Sequence, residues 1–256
     1  MKTVLIFLLA APLAAAPPVL TELSPRGAQR GKSFTLYIRG DGLTQGARVE
    51  STLPASFSQL TLSKDPLGET AMAKPGTVLP FLVALKSDAL VGFYPVRVST
   101  PDGISNVFLF SVSDLPEVEE IESKNPKQSN DDPSAAQKIA VPAVVNGTLA
   151  GPDVDNFAFT AKAGQKMVFE VEARRAGSAI DPAIEIFDSA GRELARNDDA
   201  RSLLRDLFRS EADLLPDLER GLLRVEVHPM SNPRSNRAIS FVAARSRIFF
   251  PRSSLR

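Results

Sequence analysis

The sequence predicts an all-β protein: two β-sandwich domains in tandem behind a signal peptide. Three observations predict it. Apolar residues recur at every second position in both halves, as in Phe34, Leu36 and Ile38 and again in Met167, Phe169, Val171 and Ala173. Period two is the spacing of strands that bury one face. Proline, glycine and acidic residues punctuate these runs, with 20 prolines and 15 glycines in all, which suits a turn-rich β protein. A chain of 256 residues, 43% of them hydrophobic, has the length and the apolar content for two sandwiches of roughly 100 residues each.

Residues 1–16 read MKTVLIFLLAAPLAAA, with Lys2 first, an apolar run from Val4 to Ala11, and small residues at Ala14, Ala15 and Ala16. That is the layout of a secretory signal peptide, and the run is shorter than a membrane span and broken by Pro12. The expected location is exported: periplasmic, cell-surface or secreted. Contact with a membrane is expected only through this segment before cleavage.

Residues 17–113 are the first expected domain. Phe34–Ile38, Gly92–Val98 and Phe108–Val112 read as strands, Gly40-Asp41-Gly42-Leu43 reads as a turn, and Glu50 to Pro80 is less regular. Residues 114–134 are acidic and then polar, nearly free of large apolar side chains. Such composition does not offset the entropy of ordering, so a linker is expected. Residues 135–228 are the second domain. Phe157 and Phe159 share one face of a strand, Glu170, Glu172 and Arg174 lie opposite the Met167–Ala173 face, and Ile184 and Ile186 repeat the pattern. Ala163-Gly164-Gln165 and Ser189-Ala190-Gly191 read as hairpin connections. Residues 200–218 fit either a helix around Leu203, Leu204, Leu207 and Phe208 or a strand from Leu207 to Asp213, and Gly221–Val227 is a strand. Residues 229–256 form an atypical tail whose only charges are arginines, with Ile239–Val242 and Ile248–Phe250 as further strand candidates.

Val145-Asn146-Gly147, Asp153-Val154-Asp155-Asn156-Phe157, Ala163-Gly164-Gln165, Asp181-Pro182, Ile186-Phe187-Asp188, Gly191 and Asn197-Asp198-Asp199 follow one another in an order that resembles the bacterial pre-peptidase C-terminal domain. Asn130-Asp131-Asp132-Pro133 with Ala136-Gln137 resembles that family's entry motif, with Gln128 and Ser129 where the family has glutamate and proline. The resemblance implies a jelly-roll-like sandwich on secreted proteins, without catalysis, some members binding calcium and some an insoluble polymer such as collagen. From Pro229 onward the ending departs from the family, so its last strand is expected to be missing or replaced in a truncated or frameshifted terminus. The first domain, from Leu23-Ser24-Pro25-Arg26-Gly27 to Thr100-Pro101-Asp102-Gly103-Ile104-Ser105-Asn106, resembles an immunoglobulin-like IPT/TIG domain.

Calcium takes six to eight oxygen ligands, which loops at strand ends can supply. The candidate metal ligands are Asn130, Asp131, Asp153, Asp155 and Asp199, the first two carried over from the resemblance. The alternative is that these acids make turns and cap backbone N–H groups.

Other chemistry is poorly provided for. There is no cysteine and no tryptophan, so thiolate metal sites, a thiol nucleophile and an indole platform for sugars are excluded. His228 is the one histidine and no Gly-x-Ser-x-Gly occurs, which argues against a serine hydrolase. Lys plus Arg and Asp plus Glu both total 30, so no net field draws nucleic acid, and no nucleic-acid partner is expected. Asn146-Gly147-Thr148 matches a glycosylation acceptor, which in this setting is chance, and the resemblance makes those residues a turn. The expected function is an exported, non-catalytic accessory or adhesion module that binds an extracellular polymer or an envelope protein, with calcium as a stabiliser. The alternative is a structural spacer or a remnant of a larger secreted hydrolase or surface protein.

Overall fold

The computed structural model describes residues 16–61, 76–121, 130–149, 154–161, 166–172, 182–197, 208–213, 220–227 and 237–243. The expected signal segment, apart from Ala16, lies outside them. Among the described residues the regular structure is all strand, apart from one 3-10 turn at Pro133–Ala135.

The first half holds β1 (Val19–Ser24), β2 (Gly27–Gln29), β3 (Ser33–Asp41), β4 (Arg48–Ser51), β5 (Ala55–Gln59), β6 (Val78–Leu85), β7 (Gly92–Thr100), β8 (Gly103–Ile104) and β9 (Phe108–Ser113). One sheet runs β1-β3-β6-β5 and the other β2-β9-β7-β4, with β8 paired to β7. This is an immunoglobulin-like sandwich. Leu36 and Ile38 of β3, Phe81 and Val83 of β6, Val96 and Val98 of β7, and Phe110 and Val112 of β9 fill its core. Phe34 stacks on Phe110 with centroids 5.4 Å apart. Each such side chain contributes about 1.5–3 kcal/mol on leaving water.

The motif residues near the end of this half have structural duties. Asn106 imitates a strand partner: the Leu20 amide donates to its Oδ1 at 2.7 Å, and its Nδ2 donates to Leu20 O at 3.0 Å. These bonds fall where the β1–β3 register shifts between Leu20 and Glu22. Ser105 Oγ accepts from the Val98 amide at 2.9 Å.

The irregular middle contains β4, β5 and β6. Strand β6 was not legible because it reads VLPFLVAL, apolar nearly throughout. Its outward positions carry apolar residues too, since Leu82 and Ala84 are exposed, and an apolar outer face hides the alternation that marks a half-buried strand; β6 lies between β3 and β5.

The second half holds β10 (Glu117–Glu119), β11 (Gln137–Lys138), β12 (Ala143–Leu149), β13 (Val154–Thr160), β14 (Lys166–Glu172), β15 (Pro182–Asp188), β16 (Glu193–Asn197), β17 (Phe208–Asp213), β18 (Arg220–Val227) and β19 (Arg237–Ala243). Two five-stranded sheets run β10-β12-β19-β14-β17 and β11-β13-β18-β15-β16. Val145, Phe157, Phe159, Met167, Phe169, Val171, Ile184 and Ile186 are buried, and Phe159 meets Phe169 at 5.3 Å between centroids.

Several expectations are corrected here. Glu117–Glu119, inside the expected linker, form β10 and pair in parallel with Val144–Asn146. Arg237–Ala243, inside the expected tail, form β19, which pairs with β12 on one side and β14 on the other. A central strand is therefore present where a missing one was expected; alternation across Ala238-Ile239-Ser240-Phe241 was the signal. β13 and β14 belong to different sheets, so Ala163-Gly164-Gln165 does not close a hairpin between them. Of the two readings of residues 200–218, the strand is the one present at Phe208–Asp213. Asn146-Gly147-Thr148 lies within β12, not in a turn. The Ser189–Gly191 connection does join a hairpin, β15 to β16, with Gly191 at φ 76°, a conformation that favours glycine.

Candidate functional site

The densest polar cluster in the described residues forms where the first half hands over to the second. β9 ends at Ser113 and β10 begins at Glu117, so three residues separate the two strands. In β10, Glu117 and Glu119 alternate with Val118, which puts both carboxylates on one face. Asn146, buried in β12, serves both: its Nδ2 donates to Glu117 Oε2 at 2.8 Å and to Glu119 Oε1 at 3.4 Å. Ser113 Oγ donates to Glu117 Oε1 at 2.6 Å.

Register extends the acidic face across the sheet. Glu119 pairs with Asn146, Asn146 with Ser240, and Ser240 with Glu172, one row over four strands. Burial pushes the Glu117 carboxyl up to about 7, against the bonds from Ser113 and Asn146 and with help from the negative charges of Glu119 and Glu172. Burial also raises Glu119, opposed by Asn146 and assisted by Glu120. Loss of hydration disfavours the charged form, and like charges add to that.

Glu120 continues the cluster beyond the strand. Its Oε2 accepts from the Thr148 amide at 2.8 Å and its Oε1 from Asn130 Nδ2 at 3.1 Å. Gly147 makes the approach possible, since a Cβ there would sit 2.6 Å from Glu120 Oε2. The Glu120 amide donates to Asn146 O, and the Val144 amide to Pro116 O, both at 2.8 Å. Two backbone bonds and five accepting carboxylate oxygens thus hold a three-residue strand in place.

Of the candidate calcium ligands, Asn130, Asp131 and Asp155 are among the described residues. Asn130 is buried and Asp131 exposed. Both use backbone oxygens to hold Asn156: its Nδ2 donates to Asn130 O at 2.8 Å and to Asp131 O at 3.0 Å. Asp155 is wholly buried. Alternation along β13 puts it on the face of Phe157 and Phe159, opposite to Asn156. Asp153 and Asp199 lie outside the described residues. The oxygens Asn130 Oδ1 and Asn156 Oδ1 are buried without a hydrogen-bond partner, but both are neutral. Among the described residues no three Asp, Glu, His or Cys stand together in a way that could hold a metal ion.

The other acids serve the backbone. Asp132 Oδ1 accepts from the Ser134 amide at 2.7 Å, capping the 3-10 turn. Asp188 Oδ1 accepts from the amides of Ala190 and Arg192, each at 2.9 Å, and its Oδ2 from Arg192 Nε at 2.6 Å. Glu185, buried in β15, is paired with Arg196 of β16. His228 and Asp198 lie outside the described residues.

The sequence reading missed Glu117, Glu119 and Glu120 as a group with Asn146. The signal was there: Glu-Val-Glu is a two-residue alternation, hidden in a stretch whose low apolar content argued for disorder.

A family model described as a transposase protein matches residues 150–256, less than half of the chain. This match overturns the pre-peptidase C-terminal expectation for the second half. The Asn-Gly, Asp-Pro and Ala-Gly-Gln sequences that suggested it recur in β proteins of many families, and Asn146-Gly147 stands inside a strand here. The IPT/TIG expectation is withdrawn with it, and the sandwich architecture stands without either family. No curated protein matches the chain. Among solved structures, the chain is similar to PliG of Aeromonas hydrophila, a periplasmic inhibitor of g-type lysozyme, at 19% identity over 43% of this chain and 97% of that one, TM-score 0.31. It is similar to SGBP-B from a xyloglucan utilization locus of Bacteroides uniformis at 14% identity over 90% and 73%, TM-score 0.25. It is similar to the I67–I69 fragment of titin at 9% identity over 89% and 65%, TM-score 0.24. At these scores the likenesses carry no argument about what this chain does.

Proposed function

We propose that this chain is an exported, non-catalytic accessory or adhesion module that binds an extracellular polymer or a cell-envelope protein. The observation that carries the reading is the β6–β7 connection of the first sandwich. There Leu90 is 76% exposed and Val91 45% exposed, side by side on a pinned loop. The Tyr94 hydroxyl donates to Leu90 O at 2.8 Å, the Ala89 amide donates to Lys86 O at 3.3 Å, and Ala89 is buried beneath. Two apolar side chains held in water on an ordered loop are a ready anchor. A partner that covered both would recover roughly 1.5–3 kcal/mol for each. Export rests on residues 1–16.

Co-sedimentation of the chain with peptidoglycan, chitin and collagen tests the reading. Retention on one of them is expected, with loss of at least tenfold in the Leu90→Asp, Val91→Asp double variant at unchanged melting temperature. Binding that survives the double substitution refutes the loop as the anchor. Absence of binding to all three favours the alternative, a structural spacer. Export is checked separately, by a mature chain whose mass lacks the leader.

A further inference from the structure

The acidic junction is built to respond to protons. β10 is an edge strand of three residues whose only lateral neighbour in its sheet is β12, and an edge held on one side is the easiest part of a sheet to release. The groups around Glu117 are all neutral or acidic. Ser113 faces it from β9 and Asn146 from β12, both neutral donors. Glu119 lies two residues along its own strand and Glu172 reaches it from β14, and these two are the charges that act on it. Glu170 shares its register row through Val242 and Val144. Arg30, whose amide donates to Ser113 O at 2.9 Å, is exposed and is not among the charges acting on Glu117.

We infer that Glu117 is a proton-operated latch between the two halves: protonated, it lets β10 stay seated on β12; ionised, it adds a third negative charge beside Glu119 and Glu172 and loosens the strand. Asn146 and Ser113 donate to Glu117 and favour its ionised form, so they oppose the switch and burial outweighs them. The carboxyl's upward shift supports the geometry. The released carboxyl regains its ordinary value near 4.5, and the seated one titrates at about 7. Seating is therefore fully favoured below the lower value, weakens as pH rises between the two, and is constant above the upper one. An exported protein meets such a range of pH, and β10 sits in the one short covalent connection between the sandwiches. Its release lengthens that connection.

Hydrogen exchange of the full chain tests the latch, read at the Glu120 and Val144 amides and corrected for intrinsic exchange at each pH. Protection is expected to fall by up to about tenfold per pH unit between roughly 5 and 7, then to level off, while the β3 amides paired with β6 change little. Protection constant within about twofold across that range overturns the proposal. In Glu117→Gln most of the slope at the two amides should go, the rest being what the raised Glu119 supplies; a slope that persists undiminished overturns it too. If that variant fails to seat β10 at any pH, Glu119→Gln decides. One negative charge is then gone, so the levelling-off should move to lower pH, and an unmoved levelling-off counts against the latch.

Discussion

Asp188 shows what single acids do in this molecule. One carboxylate closes the β15–β16 hairpin with two backbone amides and the Arg192 guanidinium, and those bonds, the Arg192 amide first, hold its pKa below the ordinary carboxylate range. A lowered value means a contribution present above the ordinary pKa and lost as pH falls through it. Asp188→Ala should accordingly speed exchange of the Ala190 and Arg192 amides at neutral pH, and acidification of the parent through the lowered value should do the same. Glu117 has the opposite sign. Its raised value favours the fold at low pH and is lost between about 4.5 and about 7, worth on the order of 3 kcal/mol at most before screening. Urea melts at pH 5 and pH 8 should show the parent less stable at the higher pH, and Glu117→Gln with most of that difference removed. In the first core, Phe110 is fully buried and stacked on Phe34. Phe110→Ala should cost about 3–5 kcal/mol in a urea melt, and a cost below 1 would mean that the ring is not where the core needs it.

Strands differ in how plainly they announce themselves. β3, β7, β9, β13 and β14 were legible because apolar and polar residues alternate along each, as in Phe34-Thr35-Leu36-Tyr37-Ile38 or Met167 to Val171, even where the polar face is covered, as at Ser111, Ser113 and Asn156. β15 was half legible: Ile184 and Ile186 were read as its buried face, but Glu185 is buried as well, through its pairing with Arg196. β6 was hidden by the apolar Leu82 and Ala84 on its exposed side, and β10 by composition. Three residues with two glutamates hold no apolar surplus; what orders them is the edge of β12, a long-range partner that no local window contains. β19 was named as a strand candidate at Ile239–Val242, but its arginine-rich surroundings put it in a tail and not in the second sandwich. Of the candidate metal set, Asp153 and Asp199 lie outside the described residues, and Asp155 is buried on the face of Phe157 and Phe159; spacing along a chain does not tell convergence from divergence at a strand end. A direct prediction follows for β19. Removing residues 229–256 takes away the strand between β12 and β14 and leaves two unpaired edges. The second sandwich should then lose its cooperative unfolding transition; a truncated chain that melts like the parent would restore the tail reading.

At the scale of the molecule, two layers of sheet close over an apolar core in each half, and the connection between the halves is itself a strand of the second sandwich. That arrangement was predictable in class and not in detail. Period-two patterning fixes which face of a strand is buried, whereas the partner of each strand depends on crossovers between sheets, such as the one from β13 to β14. The functional reading follows the same division. Exposed Leu90 and Val91 are visible as apolar letters in the sequence, but only their exposure on a pinned loop turns them into an anchor. The claim on which the rest depends is that segments expected to be linker and tail complete the second sandwich. Hydrogen exchange measured by mass spectrometry across the whole chain at pH 5 tests it in one experiment. Peptides covering Glu117–Glu120 and Arg237–Ala243 should be protected, the latter to the same degree as β12 and β14; exchange of both at the rate of an unstructured chain would contradict the account.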